Sequence, residues 1–230
     1  MHIADLNTKT RFLTKTDTVS LPAATLLILI NNAYERVVSL IMKSDGRWEW
    51  DDDNQSDLPI ATTTLTTDQQ DYSLAVTHLA IKRVEMKDTT GIWTDLFPIH
   101  EADLRGISIT EFFKTSSIPN YYDKLGNSVF IYPAPDFTQT ASLKVWFQRP
   151  PALYTSAEVT TGTKVPGFNS LYHDLISYYA AHEYALANGL PNANQLMASI
   201  LQKEEALVSD YSARSKDENM RLRVRKSSSR

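Results

Sequence analysis

His182 and Glu183 stand together in a stretch of helical periodicity, and they are half of a zinc-hydrolase motif. In H-E-x-x-H two imidazoles four residues apart share one helical face and hold the metal, while the glutamate acts as base. Position 186 is Leu, so the second ligand is missing. His173 lies nine residues before His182, which on a helix puts the two rings on nearly opposite faces. Each histidine is therefore expected to be a hydrogen-bonded packing or interface residue. A second candidate is the acidic run Asp51-Asp52-Asp53-Asn54 behind Trp48-Glu49-Trp50. A calcium loop fails there, because no glycine sits at the sharp turn and Thr62 or Thr63 occupies the place of the bidentate glutamate. A solvated acidic loop anchored by two packed indoles is the expectation. Carboxylate pairs such as Asp103 with Glu111 could serve hydrolysis, but nothing singles them out from solvated charge. The chain has no phosphate loop, dinucleotide fingerprint or nucleophile elbow. With no cysteine it has no thiolate chemistry and no disulfide. The residues point to a protein without a catalytic site, metal or cofactor.

Tyrosine is the unusual component. Tyr121-Tyr122 and Tyr178-Tyr179 occur as pairs, and Trp93, Trp146, Phe112-Phe113 and Phe130 add to them. Such residues serve core packing and protein contacts. A stacking platform for single-stranded nucleic acid would need interleaved Lys and Arg, and the region holding most of these aromatics is acidic. A third reading is a carbohydrate-binding module whose exposed rings stack on sugars.

The chain's 230 residues suffice for a real core, and its 42% hydrophobic and 22% charged content is that of a soluble globular protein. Charge is uneven. Residues 214–230 hold seven Lys/Arg against two Asp/Glu, and the preceding 213 residues hold sixteen against twenty-five. A duplex-binding domain would carry a basic face, and the body shows no such excess. The longest apolar run, residues 23–30, is far short of the ~20 residues of a membrane span. No secretory signal is evident in residues 1–12, so the expectation is a soluble, cytoplasmic chain with no membrane contact.

These residues need elements to position them. Ser20 as N-cap and Pro22 in the first turn predict a helix whose stripe includes Leu26, Leu27, Ile30, Tyr34, Val37 and Ile41, ending at Ser44-Asp45-Gly46. Its apolar residues cover more than one face, which predicts deep burial or packing against a neighbouring copy, with Leu27, Tyr34 and Val37 at that contact. From residue 60 to 149 the period is two, with strands expected at 62–66, 72–76, 80–86, 92–97, 128–132 and 143–148. Asp88-Thr89-Thr90-Gly91 and Lys124-Leu125-Gly126-Asn127 are expected hairpin turns, and Pro133-Ala134-Pro135-Asp136 ends a strand. Residues 101–114 fit a short helix or an irregular crossing equally. After Pro166-Gly167 the period returns to 3.6, with Phe168, Leu171, Leu175, Tyr178, Tyr179, His182 and Leu186 on one side. Asn188-Gly189 and Pro191 close that helix, and a second is expected over 194–213 with Leu196, Ile200, Leu207 and Tyr211 inward. Tyr178 and Tyr179 join the expected inter-subunit set.

The fold class is thus α+β. A helical bundle, made of an N-terminal helix and a C-terminal antiparallel helical hairpin, carries an inserted antiparallel β-sandwich or barrel and an extended C-terminal tail. The expected divisions are an N-terminal arm and helix over 1–45, a β module over 46–165, the hairpin over 166–213, and a basic tail over 214–230.

Tyr121-Tyr122-Asp123-Lys124-Leu125-Gly126-Asn127, the following strand to Tyr132-Pro133-Ala134-Pro135, Val145-Trp146-Phe147-Gln148-Arg149-Pro150-Pro151 and the helix opening Val165-Pro166-Gly167-Phe168 together are familiar. The chain resembles tailed-bacteriophage head-to-tail adaptor proteins, including the tail tubular protein A type of short-tailed phages. Trp48-Glu49-Trp50, Tyr72-Ser73-Leu74 and Ile81-Lys82-Arg83-Val84 fit the same pattern, and the likeness covers roughly residues 26–225. The resemblance implies a virion protein of the neck, assembled in the host cytoplasm. It implies a homo-oligomeric ring, usually of twelve copies, bound beneath the portal protein, touching a downstream tail or neck protein and continuing the DNA channel. Passing double-stranded DNA would not be bound sequence-specifically, and an acidic wall would let it slide.

The C-terminal alternation then has a role. Met220, Leu222 and Val224 alternate with Arg221, Arg223 and Arg225. Extended, they place apolar groups on one side and arginines on the other. Docked on a partner such as the portal, the segment could add a strand, bury its apolar side and pair its arginines with acids. A nucleic-acid-binding protein using this tail and the tyrosines is the alternative.

Overall fold

The computed structural model describes residues 1–44, 60–75, 80–99 and 108–217. The elements in chain order are α1 (Ile3–Thr14), α2 (Ala23–Ser44), β1 (Ile60–Leu65), β2 (Asp71–Ser73), β3 (Ala80–Lys87), β4 (Trp93–Asp95), β5 (Phe97–Pro98), α3 (Ile109–Phe112), β6 (Tyr121–Leu125), β7 (Ser128–Tyr132), β8 (Gln139–Gln148), α4 (Glu158–Thr161), α5 (Asp174–Ala187) and α6 (Ala193–Asp217). They form two compact units: a helical one from residues 1–44 and 151–217, and a β one from the described residues between 60 and 150. The acidic run after Trp48, Asp103 and the tail positions Met220 to Arg225 lie outside the described residues.

The helical unit begins earlier than its sequence pattern indicates. α1 buries Ile3, Leu6, Asn7, Thr10 and Thr14, a helical stripe in which three members are polar. The Thr10 and Thr14 hydroxyls donate to the Leu6 and Thr10 carbonyls at 2.8 and 2.9 Å, so each is satisfied by its own helix and can face the core. The Asn7 amide donates to the Val159 carbonyl at 3.2 Å. A hydropathy period cannot register such a stripe. α1 closes at Lys15, which adopts a left-handed φ of 54°.

In α2, Leu26, Ile30, Ala33, Tyr34, Val37, Val38 and Ile41 are buried, as the spacing predicts. Ser20 does not cap it, however. The Ser20 hydroxyl donates to Asp17 at 2.7 Å, and the Pro22 carbonyl accepts the first helical bond, from the Leu26 N–H at 3.0 Å. At 22 residues α2 is long and apolar enough to cross a bilayer, but its apolar stripe is the wall of this bundle.

α5 and α6 form the expected hairpin. Gly189, at φ 63°, lets the Leu190 N–H return to the Ala185 carbonyl at 2.8 Å. Leu196, Ile200, Leu207 and Tyr211 face inward on α6. That helix extends to Asp217, beyond the expected end at 213, because no Gly or Pro interrupts 212–217. The α5 stripe needs correcting. Leu171 and Leu186 are exposed, whereas Leu175, Ile176, Ser177, Tyr179, Ala180, Ala181 and Ala185 are buried. α5 packs against α1, α2 and α6, so its small residues take most of the contact and no single side is inner.

The β unit has two four-stranded sheets, ordered β1-β8-β3-β4 and β2-β7-β6-β5. Leu65, Val84, Met86, Leu143 and Val145 from the first sheet share one core with Tyr72, Val129 and Ile131 from the second. All pairings are antiparallel except β5 with β6. Between Pro98 and Tyr121 the chain includes α3, and a connection of that length is what a parallel pair requires. β6 itself was not anticipated, since Asp123 and Lys124 break its pattern; the hairpin turn narrows to Gly126-Asn127, with Gly126 at φ 60°.

Candidate interaction surfaces

The two histidines are separated by their surroundings as well as by the helix. His173 is buried, and its Nε2 lies 2.8 Å from the Phe168 carbonyl. With Nε2 donating, Nδ1 accepts from the Met1 amino group at 2.8 Å. Burial holds this imidazole below the ordinary histidine pKa, which suits a neutral ring used as a structural link. His182 and Glu183 border a groove of about 300 Å³ between α2 and α5, together with Asn32, Ala33, Arg36, Tyr179 and Leu186. Among the described residues no three His, Cys, Asp or Glu side chains are grouped to hold a metal.

The tyrosines act as internal clamps. The hydroxyl of Tyr34, on α2, accepts from the Gly167 N–H at 3.2 Å, and that of Tyr211, on α6, accepts from the Asn169 N–H at 3.2 Å. The Tyr172 hydroxyl donates to Asp210 on α6. Burial and the Asp210 carboxylate push the Tyr172 phenol up to about 12. The segment opening α5 is therefore tied to α2 and α6, through the buried Gly167 N–H, the Asn169 N–H and the Tyr172 hydroxyl.

Asp174, the first residue of α5, accepts from Lys9 on α1 at 3.1 Å and from Lys203 on α6 at 2.7 Å. Burial alone would raise its pKa, but the two ammoniums outweigh it and hold the carboxyl below its usual range. The same lysines flank the Tyr178 ring, at 5.3 and 5.1 Å.

The expected inter-subunit residues are thus placed within one chain as follows. Tyr34 and Val37 are fully enclosed and Tyr179 nearly so, with the Arg36 guanidinium 4.5 Å from the Tyr179 ring; Leu27 and Tyr178 are half-buried. Large apolar side chains left open on this unit include Phe12 and Val19 near its start, and Ile28, Leu171, Leu186 and Leu201, which are 61, 73, 67 and 53% exposed.

On the β unit the outer face of the first sheet carries a ladder that sequence spacing could not show. Val84, Met86, Leu143 and Val145 point into the core, so Arg83, Glu85, Lys87, Lys144 and Trp146 alternate onto the opposite face. Register sets Lys87 opposite Trp93, Glu85 opposite both Asp95 and Lys144, and Arg83 opposite Trp146. Glu85 accepts from Arg83 at 3.0 Å and pairs with Lys144 at 3.2 Å. Burial raises the Glu85 pKa, yet Lys144 and Arg83 bring it below the usual carboxylate range. Lys144 lies 3.8 Å and Lys87 5.4 Å from the centre of the Trp93 ring, and Arg83 stacks 4.5 Å from Trp146.

A family model described as that of the SU10 adaptor protein matches residues 1–225. No curated protein matches the chain.

Proposed function

We propose that this chain, which belongs to the SU10 adaptor protein family and is a structural head-to-tail adaptor of a bacteriophage virion, forms a ring beneath the portal and continues the DNA channel. Its place is the head–tail junction, and its partners there are portal and tail proteins. The observation that carries the ring is the set of open apolar side chains on the helical unit. Ile28 on α2, Leu171 just before α5, Leu186 on α5 and Leu201 on α6 stand exposed, while the buried stripes of these helices are packed within the chain. Large apolar side chains held open in this way are material for a partner surface, and a heterologous contact repeated by rotation closes into a ring. Twelve copies are the expected number. The acidic body, with sixteen Lys/Arg against twenty-five Asp/Glu before residue 214, suits a wall along which phosphate slides. Native mass spectrometry and particle imaging of the full chain, with and without portal, test the reading. A symmetric ring supports it, and a persistent monomer in the presence of portal refutes it.

Portal docking is assigned to the tail. Met220, Leu222 and Val224 would be buried on the portal while Arg221, Arg223 and Arg225 meet carboxylates. Truncation after Asp217 keeps all of α6 and should leave the chain folded but unable to hold portal-bearing heads. Substituting the three arginines with Gln should weaken attachment most at low salt. Normal head closure by the truncated chain would remove the tail from this role.

A further inference from the structure

Arg36 brings three helix faces of the helical unit together. Its guanidinium, on α2, stacks 4.5 Å from the Tyr179 ring of α5 and lies 3.8 Å from Glu204 on α6. Ile28 precedes Arg36 by two turns, Leu186 follows Tyr179 by two turns, and Leu201 precedes Glu204 by one turn. These three open side chains, each more than half exposed, therefore lie on one side of the unit, beside the groove of about 300 Å³ that Leu186 borders. Glu183, also on the groove, is exposed and pairs with no cation among the described residues. α1 covers the opposite side. The Ser177 hydroxyl reaches α1 at the Leu6 carbonyl, and Ser177 and Tyr179, two residues apart, point to nearly opposite faces of α5. By the same spacing Thr10 is buried on the inner face of α1, while Phe12 projects from the outer one and is 80% exposed. Lys15, one turn beyond Phe12, is exposed and pairs with no carboxylate among the described residues.

We infer that Phe12 of a second copy of this chain seats in the α2–α5 groove, between Ile28 and Leu186, with its Lys15 against Glu183. Complementarity of shape and charge selects that occupant. The groove offers apolar walls, an arginine already committed to Tyr179 and Glu204, and one unpaired carboxylate. The outer face of α1 offers a bare aromatic ring and, a turn away, one unpaired ammonium. An aromatic anchor in a pocket with a charge pair at its rim is the form that interface energy takes. Because the ring and the groove lie on opposite sides of one unit, they cannot meet within a chain. Between chains they join two different surfaces of identical molecules, which is the kind of contact that closes a ring. The inference rests on the ring reading and names the two surfaces that meet in it.

The test uses the full chain, with portal added if assembly needs it. Phe12→Ser, Lys15→Glu, Glu183→Lys and the double exchange Lys15→Glu with Glu183→Lys are compared with wild type by native mass spectrometry over a protein dilution series. All three positions are exposed, and circular dichroism verifies that each variant is folded. The concentration at half-assembly should rise about tenfold for Phe12→Ser and for each single reversal, the reversals losing less at high NaCl. The double exchange should recover most of that loss. Lys15 closes α1, where a cation also favours the helix end, but a helix effect would not be repaired by a substitution on α5. If the wild type never assembles, the ring reading and this contact fall together. If the wild type assembles and Phe12→Ser matches it, or the double exchange recovers nothing, the contact alone falls. Normal assembly by every variant with loss of portal binding would assign the groove to the portal and overturn the inference.

Discussion

The two units solve the same problem with opposite chemistry. The helical unit buries polar groups: Asn7, Thr10, Thr14, His173 and Ser177 all lie in its interior. Thr10 and Thr14 are satisfied by their own helix, whereas Asn7, His173 and Ser177 join distant chain, the Ser177 hydroxyl donating to the Leu6 carbonyl on α1 at 3.1 Å. The β unit instead keeps an almost wholly apolar core and places its ion pairs and cation–π contacts on an outer face. Buried polar networks are stabilising only when complete, and they select one arrangement. Outer-face networks contribute little to stability and are free to be used by a partner. The helical unit thus commits several polar groups to its interior, while the β unit keeps its ion pairs and cation–π contacts on a face open to solvent.

The sharpest way to break this comparison is to put a charge into the helical core. Val37 is fully buried on α2, so Val37→Asp strands a carboxylate and should cost on the order of 4 kcal/mol or more. Loss of the cooperative transition in circular dichroism is the expected result. Leu27→Asp, at a half-buried position on the same helix, should fold and lose far less. Equal damage from the two would mean that the α2 stripe is not the wall of the bundle.

Smaller effects come from the polar clamps. Tyr34→Phe keeps the ring and removes the acceptor of the Gly167 N–H, which should cost about 1–3 kcal/mol by chemical denaturation. Asp174→Asn removes the shared anion of Lys9 and Lys203 and should cost about 1–2 kcal/mol at neutral pH. The sign of its pH dependence follows from the depressed carboxyl. The Asp174 contribution is complete above the ordinary carboxylate pKa of about 3.9 and disappears as pH falls through the lower native value. Wild type and Asp174→Asn should therefore converge in stability at acid pH. A constant gap between them down to the acid limit would deny the ion pairs their role.

What was readable in the sequence follows the same division. α2, α6 and the main strands announce themselves because their buried residues are apolar and periodic. α1 does not, since Asn7, Thr10 and Thr14 form its buried stripe and their satisfaction depends on backbone carbonyls that hydropathy ignores. β5 and β6 are too short or too charged to show a period. The absence of an H-E-x-x-H site was legible, because a motif fails on one residue. The roles of Tyr34 and Tyr211 were not, since their partners at Gly167 and Asn169 belong to other stretches of chain. Nor was the ladder: Trp93 meets Lys87 across a local hairpin, but Lys144 reaches it only through the register of β8 with β3.

The smallest effect on stability is expected where sequence and structure disagree most directly. Helical spacing assigns Leu186 to the inner side of α5, yet the folded chain leaves it 67% exposed at the rim of the α2–α5 groove. A leucine that far in solvent has most of its transfer free energy still to gain, so removing it takes little from the monomer. Leu186→Gln should therefore change the unfolding free energy by no more than about 0.5 kcal/mol. Glutamine keeps the helix propensity close to that of leucine, so a backbone effect does not confound the reading. If instead the variant loses stability on the scale of Tyr34→Phe, Leu186 is buried in the folded monomer and the open apolar surface is smaller than described. With monomer stability unchanged, any loss of ring assembly in the same variant belongs to the surface that Leu186 offers a partner.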